Sequence, residues 1–516
     1  MTPAARDMNV RLGHLYDKLF YGLTRFEHGV GRLAIFLREN HLQVIANSGS
    51  GKFARHGAFV SGWGAPGGGL FISPKSFEWA NFGVARRSDP SLWHSERGRR
   101  RNLGVNPAEA ARERSHVARF HIPNGRCFIV APDNQSVFPG SCYNPRADID
   151  FAKPEALSRV LAVAGASFPA APPTSNRDSW FWQSPTGALA AAWAYLNLTD
   201  PDPRHHTLAY ALRWIMGYDE NPRRLPLQKD KPVPPPGSPA MQRLHFIMLA
   251  QCHNALSGRI ALAGNSLMQL SEKSFGSVIS ELETKASWLL DPRYQQVMNG
   301  ESDFALSEIG VDGWPVTVYV SPVQGEGESG DAFLRMMYKL ASLIFLQRSW
   351  RPKQQILMVG DEIGSSWGKG LREEVLQLLT LGRYKNVSVV NYWQDVSQID
   401  EALGAHGRHT ALGNSATLLF GLNDDCTRDF ASSRLGRHTI KARQGWRGAS
   451  TPREVDLASA DAIDRELAMT SPLAYVFSPA RRPMCVHLPA FKDITTPEGA
   501  FFQGMPGMDG HYEEFA

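Results

Sequence analysis

The chain has 516 residues, 43% of them apolar, and 55 basic against 50 acidic side chains, a formal charge of +5. That length supports about two or three domains with a substantial core, and so balanced a charge does not by itself imply nucleic acid. The five cysteines (Cys127, Cys142, Cys252, Cys426 and Cys485) are scattered, which suggests a reducing compartment and offers neither a disulfide framework nor a close zinc pair.

Residues 1–40 alternate apolar and charged groups at helical spacing, with Leu12, Leu15, Tyr16, Leu19, Leu23, Phe26 and Leu33 as inward positions. They predict a helical lead-in. Gly22, Gly29 and Gly31 argue against a surface membrane anchor. No apolar signal core is present, and no stretch approaches the roughly 18 apolar residues of a membrane span.

His41–Ala46 predicts a short strand, and a helix is expected over Phe53–Trp63. Between them lie Asn47, Ser48, Gly49, Ser50, Gly51 and Lys52. Glycines here let backbone N–H groups curve around phosphate oxygens, and a lysine can reach the terminal phosphates. The loop departs from a full phosphate-binding pattern: Ala46 stands where a first glycine is usual, and Phe53 replaces the hydroxyl that ligates magnesium. A glycine-rich helix cap is the alternative reading.

Strands are expected at Leu70–Ser73 and Cys127–Val130. Between them Arg97, Arg99, Arg100 and Arg101 form a basic run that reads either as a solvated surface or as a polyanion contact, including single- or double-stranded DNA. Trp79 and Trp93 are near, without regular interleaving. Residues 175–310 change to helical periodicity and predict an all-α domain inserted into an α/β domain, broken by a Pro-rich loop around Pro232–Pro236.

The α/β pattern returns with Val316–Val320, a helix from Asp331 to about Trp350, the strand Ile356–Val359, a helix over Leu371–Leu381, and strands Val387–Tyr392 and Thr417–Gly421. This order predicts a parallel sheet flanked by helices. Asp361 and Glu362 close the apolar run of 356–360. An acid at a strand end can hold Mg2+, and a neighbouring glutamate can activate water. The expected parts are 1–40, 41–174 and 311–485 as the two halves of a nucleotide-binding domain, 175–310 as the insert, and 486–516 as a loose tail.

Several segments together resemble the coupling-protein ATPases of type IV secretion and conjugation. They are Asn47–Lys52, Ser73-Pro74-Lys75 with Glu78, Asn144-Pro145, Glu272-Lys273-Ser274, Ser302-Asp303-Phe304, Asp361–Gly364, Arg383, Gln394-Asp395, Asn414, Phe420-Gly421, Asn423-Asp424 and Leu435-Gly436. The resemblance spans about residues 41–440. It implies a RecA-like P-loop NTPase domain with an inserted all-α domain, ATP and Mg2+ as cofactors, and a homohexamer during activity. It further implies recruitment of relaxase–DNA complexes or effector proteins to type IV secretion channel components. It places Asn47–Phe53 at the nucleotide, Asp361 at the metal, and Glu362, Arg383 and Gln394 in catalysis, Arg383 as a finger supplied to a neighbouring subunit. Such proteins usually begin with a transmembrane segment. With no integral membrane segment, this chain is expected in the cytoplasm, or at the inner membrane through partners. Phe53 and Ser73, which stands where an aspartate is usual, keep a second reading open: a degenerate coupling protein acting as a nucleotide-responsive scaffold or adaptor.

Overall fold

The computed structural model describes residues 41–63, 67–87, 125–134, 140–168, 179–219, 232–325, 327–443, 450–479, 483–488, 490, 495–496 and 499–500. The expected lead-in at 1–40 and the basic run Arg97, Arg99, Arg100 and Arg101 lie outside these residues, as does most of the expected tail.

The chain opens with β1 (His41–Ile45), a π-helical turn over Phe53–Gly57 and α1 (Ala58–Trp63). β2 (Gly68–Ile72), α2 (Ser76–Arg87) and β3 (Arg126–Val130) follow. A helical stretch then runs through α3 (Ala156–Ala166), α4 (Ser179–Thr199), α5 (Leu208–Ile215), α6 (Pro239–Gln251), α7 (Arg259–Met268), α8 (Glu272–Lys285) and α9 (Pro292–Met298). The strands resume with β4 (Val316–Val320), α10 (Gly327–Gln347), β5 (Ile356–Gly360), α11 (Arg372–Leu381), β6 (Val387–Trp393), α12 (Val396–Asn414), β7 (Ser415–Leu419) and α13 (Asp425–Leu435). A hairpin, β8 (Arg437–Arg443) and β9 (Ser450–Asp456), precedes α14 (Ala460–Glu466), β10 (Leu473–Phe477) and β11 (Met484–His487).

Nine strands make one sheet in the order β11-β10-β7-β1-β6-β5-β2-β4-β3. From β7 to β3 every pairing is parallel. These strands are buried at every position, which is why they read as short apolar runs rather than alternating ones. The sheet differs from the all-parallel expectation at one edge, where β10 pairs antiparallel with β7 and with β11. β11 also crosses the expected boundary at 485. The physical reason is local: Leu473–Phe477 is a five-residue apolar run between Pro472 and Pro479, and a chain leaving α14 at the carboxyl ends of the strands re-enters the sheet in the opposite sense.

A buried polar ladder fixes β1 in the sheet. Gln43 is fully buried. Its amide nitrogen donates to Ser415 Oγ on β7 (3.0 Å). Its Oε1 accepts from Trp393 Nε1 (2.8 Å) and Asn391 Nδ2 (3.3 Å) on β6. Satisfied buried polar groups of this kind penalise any slipped register, because a slip would leave them unpaired. The strand that leads into Asn47–Lys52 is thereby locked to the strand that leads into Gln394.

In the helical stretch, α4 contributes a run of small buried residues, Ala188 to Ala194 around Leu189 and Trp193, which lets α3, α5 and α7 approach it closely. Among the described residues no helix is long and apolar enough to cross a membrane.

Candidate functional site

The carboxyl ends of β1, β6, β5 and β2 lie side by side and bring Asn47–Phe53, Gln394, Asp361 and Glu362 to one place. After β1 the chain turns through Asn47–Lys52. Asn47 N–H donates to the Gly421 carbonyl (3.2 Å), and Asn47 Oδ1 accepts from Asn423 N–H (2.8 Å). Ser50 folds back on the Asn47 carbonyl through its N–H (3.2 Å) and its hydroxyl (2.7 Å). Gly49 and Gly51 have φ of +80° and +75°, the left-handed region that glycine enters without strain. A Cβ on Gly421 would meet Ser50 Cβ at 2.3 Å, so the loop after β7 presses directly against the phosphate loop.

Among the described residues, the N–H groups of Ser48, Gly49 and Gly51 donate to no protein acceptor, and all three residues are exposed. Unpartnered backbone donors in a left-handed turn ahead of a helix form an anion-binding concavity. Lys52 Nζ spans the loop to the Ala46 carbonyl (3.0 Å). Burial holds its pKa below the ordinary lysine value, and Asp361 and Glu362 oppose that shift.

Asp361 leaves β5 with its N–H on the Ile72 carbonyl of β2 (2.8 Å). Its Oδ2 accepts from Ser73 Oγ (2.8 Å) and from Trp79 Nε1 (3.1 Å). Glu362 follows at φ +48°, a conformation that costs a non-glycine residue energy and tends to mark functional sites. Lys75 Nζ lies 3.9 Å from Glu362 Oε1. Glu78, on α2, has its pKa pushed up to about 7, first by burial and then by Asp361, with Glu362 adding and Lys75 opposing. Three carboxylates and two ammonium groups therefore share one electrostatic neighbourhood. Among the described residues no group of His, Cys, Asp and Glu is assembled to hold a metal unaided. Magnesium is commonly held by one or two carboxylates together with phosphate oxygens and water, and Asp361 beside an open phosphate cradle fits that pattern.

Gln394 follows Trp393, the register partner of Ile45, so it stands at the strand end beside Ala46. Its N–H donates to Gln398 Oε1 (3.0 Å). Phe53, the first residue of the π-helical turn, is half-buried, and its ring meets Trp79 edge-on with centroids 5.3 Å apart.

Arg383 is not brought to this site. It precedes β6 at the other end of the sheet, about 20 Å away by the rise of seven strand residues. It is exposed, and it donates to the Asn414 carbonyl (2.8 Å). Burial, with Arg383 adding to it, pushes His41 at the start of β1 down to about 3. The sequence reading assigned no site role to Trp79, Gly421 or Asn423, and it treated Ser73 only as a lost charge. Ser73 and Trp79 follow β2, and Gly421 and Asn423 follow β7, so none of them is near the phosphate-loop strand or the acids in sequence. A tryptophan one turn into an otherwise ordinary helix gives no local sign that its N–H meets an acid 282 positions later.

The family model described as Type IV secretory system Conjugative DNA transfer matches residues 118–459, a span that contains Asp361, Glu362, Arg383 and Gln394 and begins after the phosphate loop. No curated protein sequence matches the chain. The chain is similar to the solved structure of the bacterial conjugative coupling protein TrwBdeltaN70 in its unbound monoclinic form, with 16% identity, a TM-score of 0.59 and 94% of each chain covered. It is also similar to the trigonal form of that protein in complex with sulphate (16% identity, TM-score 0.56, 89% of this chain and 88% of that one). The plasmid coupling protein TrwB in complex with ADP and Mg2+ gives 16% identity and a TM-score of 0.54 over 91% and 89%. At such identity the likeness shows the fold: a mixed, mainly parallel sheet flanked by helices with a helical insertion, the architecture of P-loop NTPases.

Proposed function

The chain belongs to the type IV secretory system conjugative DNA transfer family, and we propose that it works there as a coupling-protein ATPase that brings DNA–protein or protein substrates to a secretion channel. The observation that carries this reading is that the open loop after β1 and the acids Asp361 and Glu362 after β5 lie at the same end of the sheet, with only β6 between them. The solved structure of TrwB with ADP and Mg2+ supports the same pair of ligands here.

In this reading the open N–H groups of Ser48, Gly49 and Gly51 cradle the phosphates and Lys52 reaches the terminal ones. Asp361 and the phosphates hold Mg2+, which when bound offsets negative charge on the phosphate oxygens. Glu362 takes the proton of the attacking water, and Gln394, at the edge of the cradle, orients that water. Arg383 acts in a neighbouring copy of a ring, where its guanidinium offsets charge on the transferred phosphoryl group. Its distance from the loop of its own subunit favours that role over one in cis. The partners are secretion channel components and relaxase–DNA complexes or effector proteins, with the helical segment from 175 to 310 as the receiving surface. The working location is the cytoplasm or the inner face of the membrane.

Phe53 favours a second reading, a scaffold that binds nucleotide and does not turn it over, because a phenyl ring offers magnesium no ligand. Titration of a fluorescent ATP analogue against the wild type and Lys52→Ala separates these from a mere helix cap. The ATPase reading expects binding that Lys52→Ala weakens and turnover that Glu362→Gln abolishes while sparing binding. The scaffold reading expects the binding alone. No binding by the wild type would sink both.

A further inference from the structure

Phe53 stands where a magnesium-ligating hydroxyl would be expected, and its ring and the Trp79 indole form a built assembly. Trp79 is 2% exposed. Besides the edge of Phe53, its indole meets Tyr392 at 5.4 Å and 70° and Phe71 at 5.7 Å and 42°. Gly57 lies beneath both rings: a Cβ there would come within 2.9 Å of Phe53 Cδ2 and 3.0 Å of Trp79 Cη2. The indole is therefore held from several sides, and its N–H is aimed at Asp361 Oδ2. Ser73, 1% exposed, supplies the second donor to that same oxygen. Among the described residues no hydrogen bond reaches Oδ1. Two donors on one oxygen stop the carboxylate from rotating and leave the other oxygen as its free acceptor. Hydrogen bonds to a charged acceptor are the strong kind, so this orientation is firmly set.

We propose that Trp79 is a positioning residue for Asp361, that its N–H and the Ser73 hydroxyl fix Oδ2 so that Oδ1 faces the metal–nucleotide, and that Phe53 is retained as the buttress of the indole. Phe53 is then a working part of the site. Restoring the hydroxyl with Phe53→Thr removes the buttress and weakens the metal response. The second half of the proposal rests on the nucleotide reading above; the first half does not.

The test has two arms, both on the full chain. In the first, the indole 15N–1H signals of the 13 tryptophans are recorded, and that of Trp79 is identified by its loss in Trp79→Phe. Asp361→Asn should move this proton upfield, since a neutral amide oxygen is a weaker acceptor. Ser73→Ala should move it downfield, because the indole then serves the carboxylate alone. A Trp79 signal unchanged in both variants overturns the proposal, and Ser73→Ala keeps this arm decisive even if Asp361→Asn folds poorly. In the second arm, ADP affinity is measured by calorimetry with Mg2+ and with EDTA. Trp79→Phe should cut the gain from Mg2+ by about tenfold, the worth of one hydrogen bond to a charged group, while affinity in EDTA stays near wild type. Phe53→Thr should cut it by a smaller factor. A gain that stays at the wild-type level in Trp79→Phe, or rises in Phe53→Thr, overturns the metal role. If the wild type binds no ADP, the nucleotide reading and the metal role fall together, and the indole signal still decides whether Trp79 holds Asp361.

Discussion

The two ends of the parallel sheet differ in what their outward-facing donors meet. At the carboxyl ends, Ser48, Gly49 and Gly51 leave backbone donors unpartnered, Glu362 sits at a strained φ, and Glu78 and Lys52 are both held away from their ordinary pKa values. The amino ends carry strain and a shifted group as well, Asn386 at φ +57° and His41 pushed down to about 3, but there the outward-facing donors rest on protein carbonyls. Arg383 donates to Asn414, and Asn386 donates to Pro352. Unspent donors and backbone strain persist only where the rest of the fold over-determines them, and a ligand is the usual reason for keeping them. What separates the two ends is the set of exposed backbone donors at Ser48, Gly49 and Gly51, which among the described residues meet no protein acceptor.

The sharpest way to break that comparison is Arg383→Ala. If the amino end serves a second copy, ATP turnover should fall by about a thousandfold, the usual worth of such an arginine, with nucleotide affinity and monomer stability unchanged. Turnover by the wild type should then rise with protein concentration while that of the variant stays flat. Equal rates for the two proteins at every concentration would confine function to the carboxyl end.

Next in size is Lys52→Ala, which removes a charge-assisted contact to phosphate and should weaken ATP binding by about 10- to 100-fold in a fluorescent-analogue titration. Unchanged affinity would mean that the open backbone donors do not face a nucleotide.

Gln43→Leu tests what joins the loop to the rest of the sheet. It strands the indole N–H of Trp393 and the amide of Asn391 in the core, and should cost about 1–3 kcal/mol in chemical denaturation. A cost near zero would show that the β1–β6 register does not depend on this ladder.

The smallest effect is a pH slope. The folded protein holds the Glu78 proton up to about 7, whereas the unfolded chain releases it near the ordinary value of 4.5. Stability contributed by this group is therefore complete below the lower value and falls as pH rises from 4.5 to 7, after which the penalty is constant. Glu78→Gln should flatten that fall, read as denaturation midpoints across the window. Parallel slopes in the two proteins would remove Glu78 from the acidic neighbourhood.

Much of the site could be read from local pattern. Asn47–Lys52 lies between an apolar run and a helix, and Asp361-Glu362 closes another apolar run; both signals are contiguous in the chain. The parallel strands were legible because burial on both faces demands uninterrupted apolar residues. The antiparallel edge was not, since Leu473–Phe477 is too short for periodicity to reveal its direction.

What the sequence by itself determined, then, is the class of chemistry: glycines that permit left-handed turns, a lysine behind them, and acids at a strand end. Only the tertiary structure decided how those parts are held. Strand order puts β6 and β5 between β1 and β2, so Trp79 and Ser73, which follow β2, meet Asp361, which follows β5. The same order sends Arg383 to the far end. Hydrogen bonds and ring contacts act over a few ångströms, and only folding brings residues hundreds of positions apart within that reach. That is also why Phe53 reads as damage in the sequence and as a packed ring against Trp79 in the structure.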